Sequence, residues 1–438
     1  MILRLLRHLY HYGLFATIRR MVIDRSMRPT GMGMFYFVRY GVKTIGGHSL
    51  TFKSGFVRRL LNESHDVEVF LTHIYGGGAT SYLRNWIESS PPDRLIFVVR
   101  PTEVVGVLGV EAYRANKQHC TFFVRDFSAF LGLKGKKCRI VVSELLSWER
   151  YWTEGLMSNR RMDELCRRIV YLKDALQSEL LYCVHDFYSM CPRFDLVTPE
   201  YRYCGSEYTL EKCKGCLADA QNNKWHNVRG IKIVEWRQST KSMLDACTEI
   251  RAFSEDSLKR ITRCWPNLKV ALLPHKFVGG FTRKPQIMRN RLTIGVVGNI
   301  QRHKGSEEVV ALGQYLLTQK KNDVRIVVVG NLYVDTGRIP PNVIVLGEYQ
   351  TKDLPDIIER EKINIAFFSS VCAESFSYVT QELIALGLPI VCYDVGAPRD
   401  RVRAYPDGKV IPEVTPEATW QAINELFNEM KVKYGAPK

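Results

Sequence analysis

The stretch INIAFFSSVCAESFSYVTQELIALGLPIVCY, residues 363–393, reads as one β-α-β unit. Ile363–Phe368 is a short, nearly unbroken apolar run, the pattern of a strand buried on both faces. Tyr378–Leu386 has helical character, Gly387 is placed to cap it, and Pro389–Tyr393 reads as the next strand. Glu374 then falls in the loop at the carboxyl end of a strand, and Glu382 inside the helix. The backbone amides of Ser375, Phe376 and Ser377 point out of the helix N-terminus, where an anion is favoured. A carboxylate beside an anion site needs its own reason. Hydrogen bonding to sugar hydroxyls is one; the plainer reading is a pair of helix carboxylates, one of them capping.

The same alternation extends outward. Leu292–Val297, Arg325–Val329 and Val343–Leu346 read as further strands with helices between most of them, a doubly wound domain. Gly298-Asn299-Ile300-Gln301-Arg302-His303-Lys304-Gly305-Ser306 follows the first of these strands. Ser306 is placed to cap the next helix, with Glu307 and Glu308 in its first turn. A glycine turn carrying Arg302 and Lys304 at the carboxyl end of a parallel strand suits a pyrophosphate; a solvated basic loop is the plainer alternative. Both loops share one face of one sheet, which favours the functional reading.

Upstream, Val67–Leu71, Leu95–Val99, Arg139–Val142, Leu180–Val184 and Ile231–Val234 read as strands of a second parallel, helix-covered sheet. The Gly76-Gly77-Gly78 turn follows the first, and a helix through Tyr82 and Trp86 comes next. A Cys-rich insertion, residues 191–216, interrupts the pattern, and residues 276–291 read as a linker. The expected organisation is a basic N-terminal extension (1–60), an N-terminal Rossmann-like domain (61–280), a C-terminal Rossmann-like domain (290–420) and a C-terminal helix (421–438).

Composition bounds these readings. A length of 438 residues means two or three domains, and 46% apolar with 24% charged residues excludes a disordered chain, a collagen and a coiled coil. The net charge is +17 and is concentrated at the front: residues 1–60 hold Arg4, Arg7, Arg19, Arg20, Arg25, Arg28, Arg39, Lys43, Lys53, Arg58 and Arg59 against the single acid Asp24. Anionic lipid, nucleic acid or phosphorylated substrates are the partners such a segment suits. Residues 1–23 read as a basic amphipathic helix, with Ile2, Leu3, Leu6, Leu9, Tyr10, Leu14 and Ile18 as its apolar stripe; it suits an anionic membrane surface, or packing on the domain. No apolar run approaches the ~20 residues a bilayer span needs, and the front end is a poor signal peptide. The expected location is cytoplasmic, at the inner face of the membrane. Twelve cysteines are too dilute for a disulfide scaffold.

With these elements placed, Glu374-x7-Glu382, the Ser-Phe-Ser that follows Glu374, and Leu383–Val391 resemble the signature of retaining glycosyltransferases of family 4, in its bacterial surface-polysaccharide branch. Asp394-Val395-Gly396-Ala397, Lys304-Gly305, Leu346-Gly347-Glu348-Tyr349, Ala252-Phe253-Ser254 and Leu273-Pro274-His275 match the same family's pattern. The resemblance covers about residues 66–420. It implies a GT-B fold, two Rossmann-like domains facing a cleft, and a nucleotide-sugar donor held mainly by the C-terminal domain. It implies that Arg302 and Lys304 bind the diphosphate, that Glu374 holds sugar hydroxyls, and that Ser375, Phe376 and Ser377 contact phosphate or sugar. Glu382 would bind the ribose, Gly77 and Gly78 would approach the donor phosphate, and Glu348 and Tyr349 would lie near the base. Asn299 stands after Gly298 where the family often has Arg. His185, at the end of a strand, occupies the place of a family histidine that faces the donor sugar; a histidine bonded within the fold is the alternative.

No Asp-x-Asp occurs, so no carboxylate clamp for a catalytic metal is evident, and no cofactor is expected for catalysis. Cys191, Cys204, Cys213 and Cys216 offer four thiolates, with Cys213-Lys214-Gly215-Cys216 as a Cys-x2-Cys knuckle. A structural Zn2+, an iron–sulfur cluster or unliganded thiols all fit that set. The expected function is transfer of a sugar from a nucleotide-sugar to a glycan or lipid-linked glycan in surface-glycan assembly. A nucleotide-sugar epimerase or a phosphorylase on the same fold is the nearest alternative. A zinc-containing nucleic-acid-binding protein is the more distant one, disfavoured because the knuckle lacks interleaved basic and aromatic residues.

Overall fold

The computed structural model describes residues 55–74, 77–102, 106–146, 148, 158–205, 209–218, 228, 230–275, 281, 283–287 and 291–434. The expected amphipathic helix at 1–23 lies outside them. The described residues form two compact units. The first is drawn from Met1–Tyr75, Leu83–Met157 and Glu164–Leu180, the second from Gly76–Tyr82, Ser158–Asp163 and Leu181–Lys438. No helix among the described residues is long and apolar enough to cross a membrane.

The first unit contains α1 (Gly55–Asn62), β1 (Asp66–Leu71), most of α2 (Gly78–Ser89), β2 (Leu95–Pro101), β3 (Leu108–Arg114), β4 (Lys117–Val124), β5 (Lys137–Val142) and most of α3 (Asn159–Leu176). Its strands lie in the order β4-β3-β2-β1-β5. β1 pairs parallel with β2 and with β5, as the apolar runs predict. The β2-β3-β4 end is antiparallel, which corrects the expectation of a wholly parallel sheet. The β3-β4 turn rests on Ala115 and Asn116 at φ +49 and +63. Both central residues have positive φ, as in a type I′ hairpin turn, but no glycine marks it in the sequence.

The second unit begins within β6 (Glu179–Val184) and continues with α4 (Leu210–Ala218), α5 (Ile233–Asp245), β7 (Glu249–Ala252), α6 (Glu255–Cys264) and β8 (Ala271–Leu272). β6, β7 and β8 pair in parallel. The strand expected at Ile231–Val234 is instead the start of α5. Its apolar run is too short to decide, and the buried residues Ile233, Trp236, Thr240, Met243 and Leu244 follow the helical period.

A doubly wound region follows: β9 (Thr293–Val297), α7 (Ser306–Thr318), β10 (Arg325–Val329), β11 (Val343–Val345), α8 (Leu354–Arg360), β12 (Ile365–Phe368), α9 (Tyr378–Ala385), β13 (Ile390–Tyr393), α10 (Gly396–Ala404), β14 (Gly408–Ile411) and α11 (Pro416–Tyr434). All six strands are parallel, in the order β11-β10-β9-β12-β13-β14. Val297, Val327, Val329, Ala366, Leu383 and Ile390 join one buried core that packs α8 and α9 on the sheet. The strand order turns back between β9 and β12. That switch point leaves a crevice at the carboxyl ends of those strands, where ligands bind in such sheets.

Candidate active site

The loops that leave β9 and β12 are pressed together at the switch point. Gly305 has φ +86, and a Cβ added there would sit 1.9 Å from the carbonyl oxygen of Ser369, so no side chain is tolerated. Ser369 Oγ donates to the Lys304 carbonyl at 2.8 Å, and Val371 N donates to the His303 carbonyl at 3.2 Å. Gly305, rather than Ser306, is the residue that precedes α7; Ser306 is the first helical residue and is fully buried.

This contact brings Lys304 Nζ to 3.3 Å from Glu374 Oε1. The charge of Glu374 raises the Lys304 amine above its ordinary value. Arg302 lies on the same turn but reaches elsewhere. Its guanidinium carbon stands 4.0 Å from the ring centroid of Tyr201, and its Nη1 lies 3.2 Å from Glu307 Oε1. Arg338 shares Glu307. Asn299 Oδ1 accepts from Asn331 Nδ2 at 2.9 Å, and Gly298 N donates to the Val329 carbonyl.

Past Glu374 the chain turns into α9 through a strained residue. Ser377 has φ +95 and ψ +99, and its hydroxyl caps the helix by accepting from Thr380 N at 3.3 Å. Arg401, on α10, holds this segment from behind: Nη1 donates to the Ser377 carbonyl at 2.9 Å and lies 3.5 Å from the Phe376 carbonyl. Its guanidinium carbon is 3.7 Å from the centroid of the Phe376 ring. In a trans peptide the N–H opposes the C=O. Carbonyls turned toward Arg401 therefore turn the amides of Ser377 and Tyr378 away from it. Burial lowers Arg401 to about 10, which leaves it charged at neutral pH.

His185 joins the same neighbourhood: its carbonyl accepts from Ser375 Oγ. The imidazole stacks on Phe253 with ring centroids 4.5 Å apart and meets Tyr82 edge-on at 4.7 Å. His275 continues this packing, 4.4 Å from Phe376, and its Nδ1 lies 3.1 Å from the Tyr378 hydroxyl. Burial, aided by Arg401, pushes His275 down to about 3, so it stays neutral. A Cβ on Gly78 would stand 3.2 Å from the Tyr378 ring, which brings the glycine turn against the start of α9. Gly77 precedes it at φ +99.

Glu382 lies on α9 beyond the capped end. Burial pushes its carboxyl up to about 7, and its charge is felt by the half-buried Tyr349. Glu348 is exposed beside Gly347, whose amide donates to the Gly330 carbonyl at 3.1 Å. Lys304, Glu374, Ser375, Phe376, Ser377, His185 and Gly78 thus converge through direct contacts. Arg302 is nearby but turned to Tyr201 and Glu307. Sequence reasoning missed Arg401, Tyr201 and Tyr378. Arg401 left only the weak signal of three arginines on one short helix, Arg399, Arg401 and Arg403.

In the Cys-rich insertion, Cys213 and Cys216 sit three residues apart on the helix α4 and not in a tight turn. Burial pushes the Cys191 thiol up, and Cys204, Cys213 and Cys216 add to the rise, so each of the three lies within electrostatic reach of Cys191. Arg237 Nη2 is 3.2 Å from Cys213 Sγ. None of the twelve cysteines is in a disulfide. Among the described residues, no group of three or more His, Cys, Asp or Glu is drawn together closely enough to hold a metal ion.

Residues 281–433 match the family model described as "Glycosyl transferases group 1". No curated protein matches the sequence. Among solved structures, Anabaena HepE in complex with UDP is similar at 11% identity and a TM-score of 0.52, over 84% of this chain and 91% of that one. HepE in complex with UDP-glucose is similar at 12% identity and a TM-score of 0.50, over 83% and 90%. These likenesses agree with the expected fold, α/β with parallel sheets in two units, of the GT-B class.

Proposed function

We propose that this chain is a retaining glycosyltransferase of family 4 that moves a sugar from a nucleotide-sugar donor to a glycan or lipid-linked glycan acceptor in surface-glycan assembly. The match of residues 281–433 to group 1 glycosyl transferases supports sugar transfer. The observation that carries the reading is the convergence of Lys304, Glu374 and the 375–377 backbone at the switch point of the parallel sheet.

Breaking a sugar–phosphate bond puts negative charge on the departing diphosphate. Lys304, released from Glu374, and the amides turned outward by Arg401 stabilise that charge. Arg302 adds a second cation from the same turn. Glu374 accepts hydrogen bonds from sugar hydroxyls, and Glu382 accepts from the ribose. The acceptor proton passes to a donor phosphate oxygen on the face from which the diphosphate leaves, so Glu374 is not a base. The chemistry proceeds without a metal. We propose in addition that Cys191, Cys204, Cys213 and Cys216, which are not gathered into a ligand set in this structure, close on a structural Zn2+ when it binds, and no step of the transfer passes through it. The basic N-terminal segment docks the enzyme on the inner face of the membrane.

A thermal-shift screen against UDP-, GDP-, ADP- and dTDP-sugars tests the reading. One donor class should raise the melting temperature, and Lys304→Ala should abolish the shift. Absence of any shift in the parent protein, or an unchanged shift in the variant, refutes it. Release of nucleoside diphosphate that requires an acceptor distinguishes transfer from epimerisation.

A further inference from the structure

The proposed reaction leaves the first half of the Cys-rich insertion without a task, yet this segment touches both loops of the site. Residues 197–203 form a small hairpin: Val197 and Tyr203 bridge antiparallel, Thr198 N donates to the Arg202 carbonyl at 2.7 Å, and Tyr201 N donates to the Thr198 carbonyl at 2.9 Å. Tyr201, at φ +59, occupies the left-handed region. For a bulky residue this costs about 1 kcal/mol or more and persists only where surrounding contacts impose it.

That conformation lays the Tyr201 ring against the guanidinium of Arg302, 4.0 Å from carbon to centroid. Neighbouring residues reinforce the approach. Arg202 Nη1 is 3.4 Å from Glu308 Oε1, the Phe194 and His303 rings are 6.0 Å apart, and the Asp195 carbonyl accepts from Ala373 N at 3.4 Å. Residues 194–202 therefore brace the Arg302–Lys304 turn and the segment before Glu374 together.

A ring stacked on the face of a guanidinium restricts the plane and leaves its edge N–H groups to bind an anion. Arg302 Nε is a buried donor with no hydrogen-bond partner. Glu307 Oε1 pairs with the same guanidinium at Nη1, 3.2 Å away, and leaves Nε to a ligand. We propose that Tyr201 is a positioning residue for the donor diphosphate, acting through Arg302, and that the insertion is the brace that delivers it. This rests on the nucleotide-sugar reading above.

The experiment measures dissociation constants of UDP, GDP, ADP and dTDP for the full chain and follows the tightest. Tyr201→Phe keeps the ring and should bind within about twofold of the parent. Tyr201→Leu should weaken binding about 2- to 30-fold, the range of a cation–π contact between exposed and desolvated settings. In an Arg302→Ala background, Tyr201→Leu should have no further effect. Circular dichroism and melting temperature check that each variant folds. Parent-like binding by Tyr201→Leu, an equal loss in Tyr201→Phe, or a full further loss in the Arg302→Ala background overturns the brace while a Lys304-dependent parent leaves the transferase reading standing. A parent that binds none of the four overturns both.

Discussion

Ser377 offers the sharpest test of the loop geometry, because glycine and alanine there should move stability in opposite directions. Its φ of +95 and ψ of +99 lie beyond the ordinary left-handed well. Such backbone strain in a residue with a Cβ costs roughly 1–3 kcal/mol. Ser377→Gly removes the strain. It also removes the helix cap, but that bond is long, 3.3 Å from Thr380 N, and exchange of a serine cap for glycine costs only about a few tenths of a kcal/mol. The larger entropy of glycine in the unfolded chain takes back about 0.5–1 kcal/mol. The net is a stabilisation of about 1 kcal/mol, or about 2–4 °C for a unit of this size. Ser377→Ala keeps the strain, loses the cap and should cost about 0.5–1 kcal/mol. Equilibrium unfolding in urea with the melting temperature measures both. A destabilising glycine, or glycine and alanine moving the same way, refutes the argument.

Three further outcomes follow from the site and its surroundings. Burial holds the Glu382 carboxyl near 7, so the folded state keeps a proton that the unfolded chain releases near 4.5, and stability falls as pH rises between those values; donor affinity should rise from pH 6 to pH 8 as the carboxylate proposed to bind the ribose forms, and Glu382→Gln should flatten that dependence. Protein purified under reducing conditions should carry about one equivalent of zinc by elemental analysis, lost on joint replacement of Cys213 and Cys216 by serine; metal-free protein of full stability refutes the structural site. Removal of residues 1–23 should release the chain from vesicles of anionic phospholipid, and unchanged binding refutes the docking role.

The C-terminal half was legible because its strands are buried on both faces and so read as unbroken apolar runs. β9, β10, β12 and β13 each fall within a residue or two of the expected span. The β3-β4 hairpin was not, since its turn uses Ala115-Asn116 in place of a glycine pair, and the first three residues of β4, Lys117, Gln118 and His119, are exposed and polar. Glu374 and Lys304 could be singled out because each stands in a loop at the carboxyl end of a parallel strand, within a motif that resembles the family-4 signature. Tyr201 and Arg401 could not. They reach the site from elements distant in the chain, and only the folded backbone gives them their targets.

The electrostatics separate cations that hold the fold from cations a ligand can take. Arg260 donates bidentately to Asp256, with side chains only 7% and 5% exposed, and Arg399 Nη2 stands 3.2 Å from the same carboxylate. Breaking such a buried pair strands a charge and costs about 3–5 kcal/mol, so no substrate anion draws Arg260 away. Lys304 and Glu374 are 41% and 14% exposed and 3.3 Å apart. An ion pair with that much access to water is worth about 0–1 kcal/mol. Under the proposed function, a diphosphate displaces Glu374 from Lys304 at small cost and leaves the carboxylate beside the sugar that would arrive with it. The same weak pair thus accounts for both halves of the proposed donor contact, the cation on the phosphate and the acceptor on the hydroxyls.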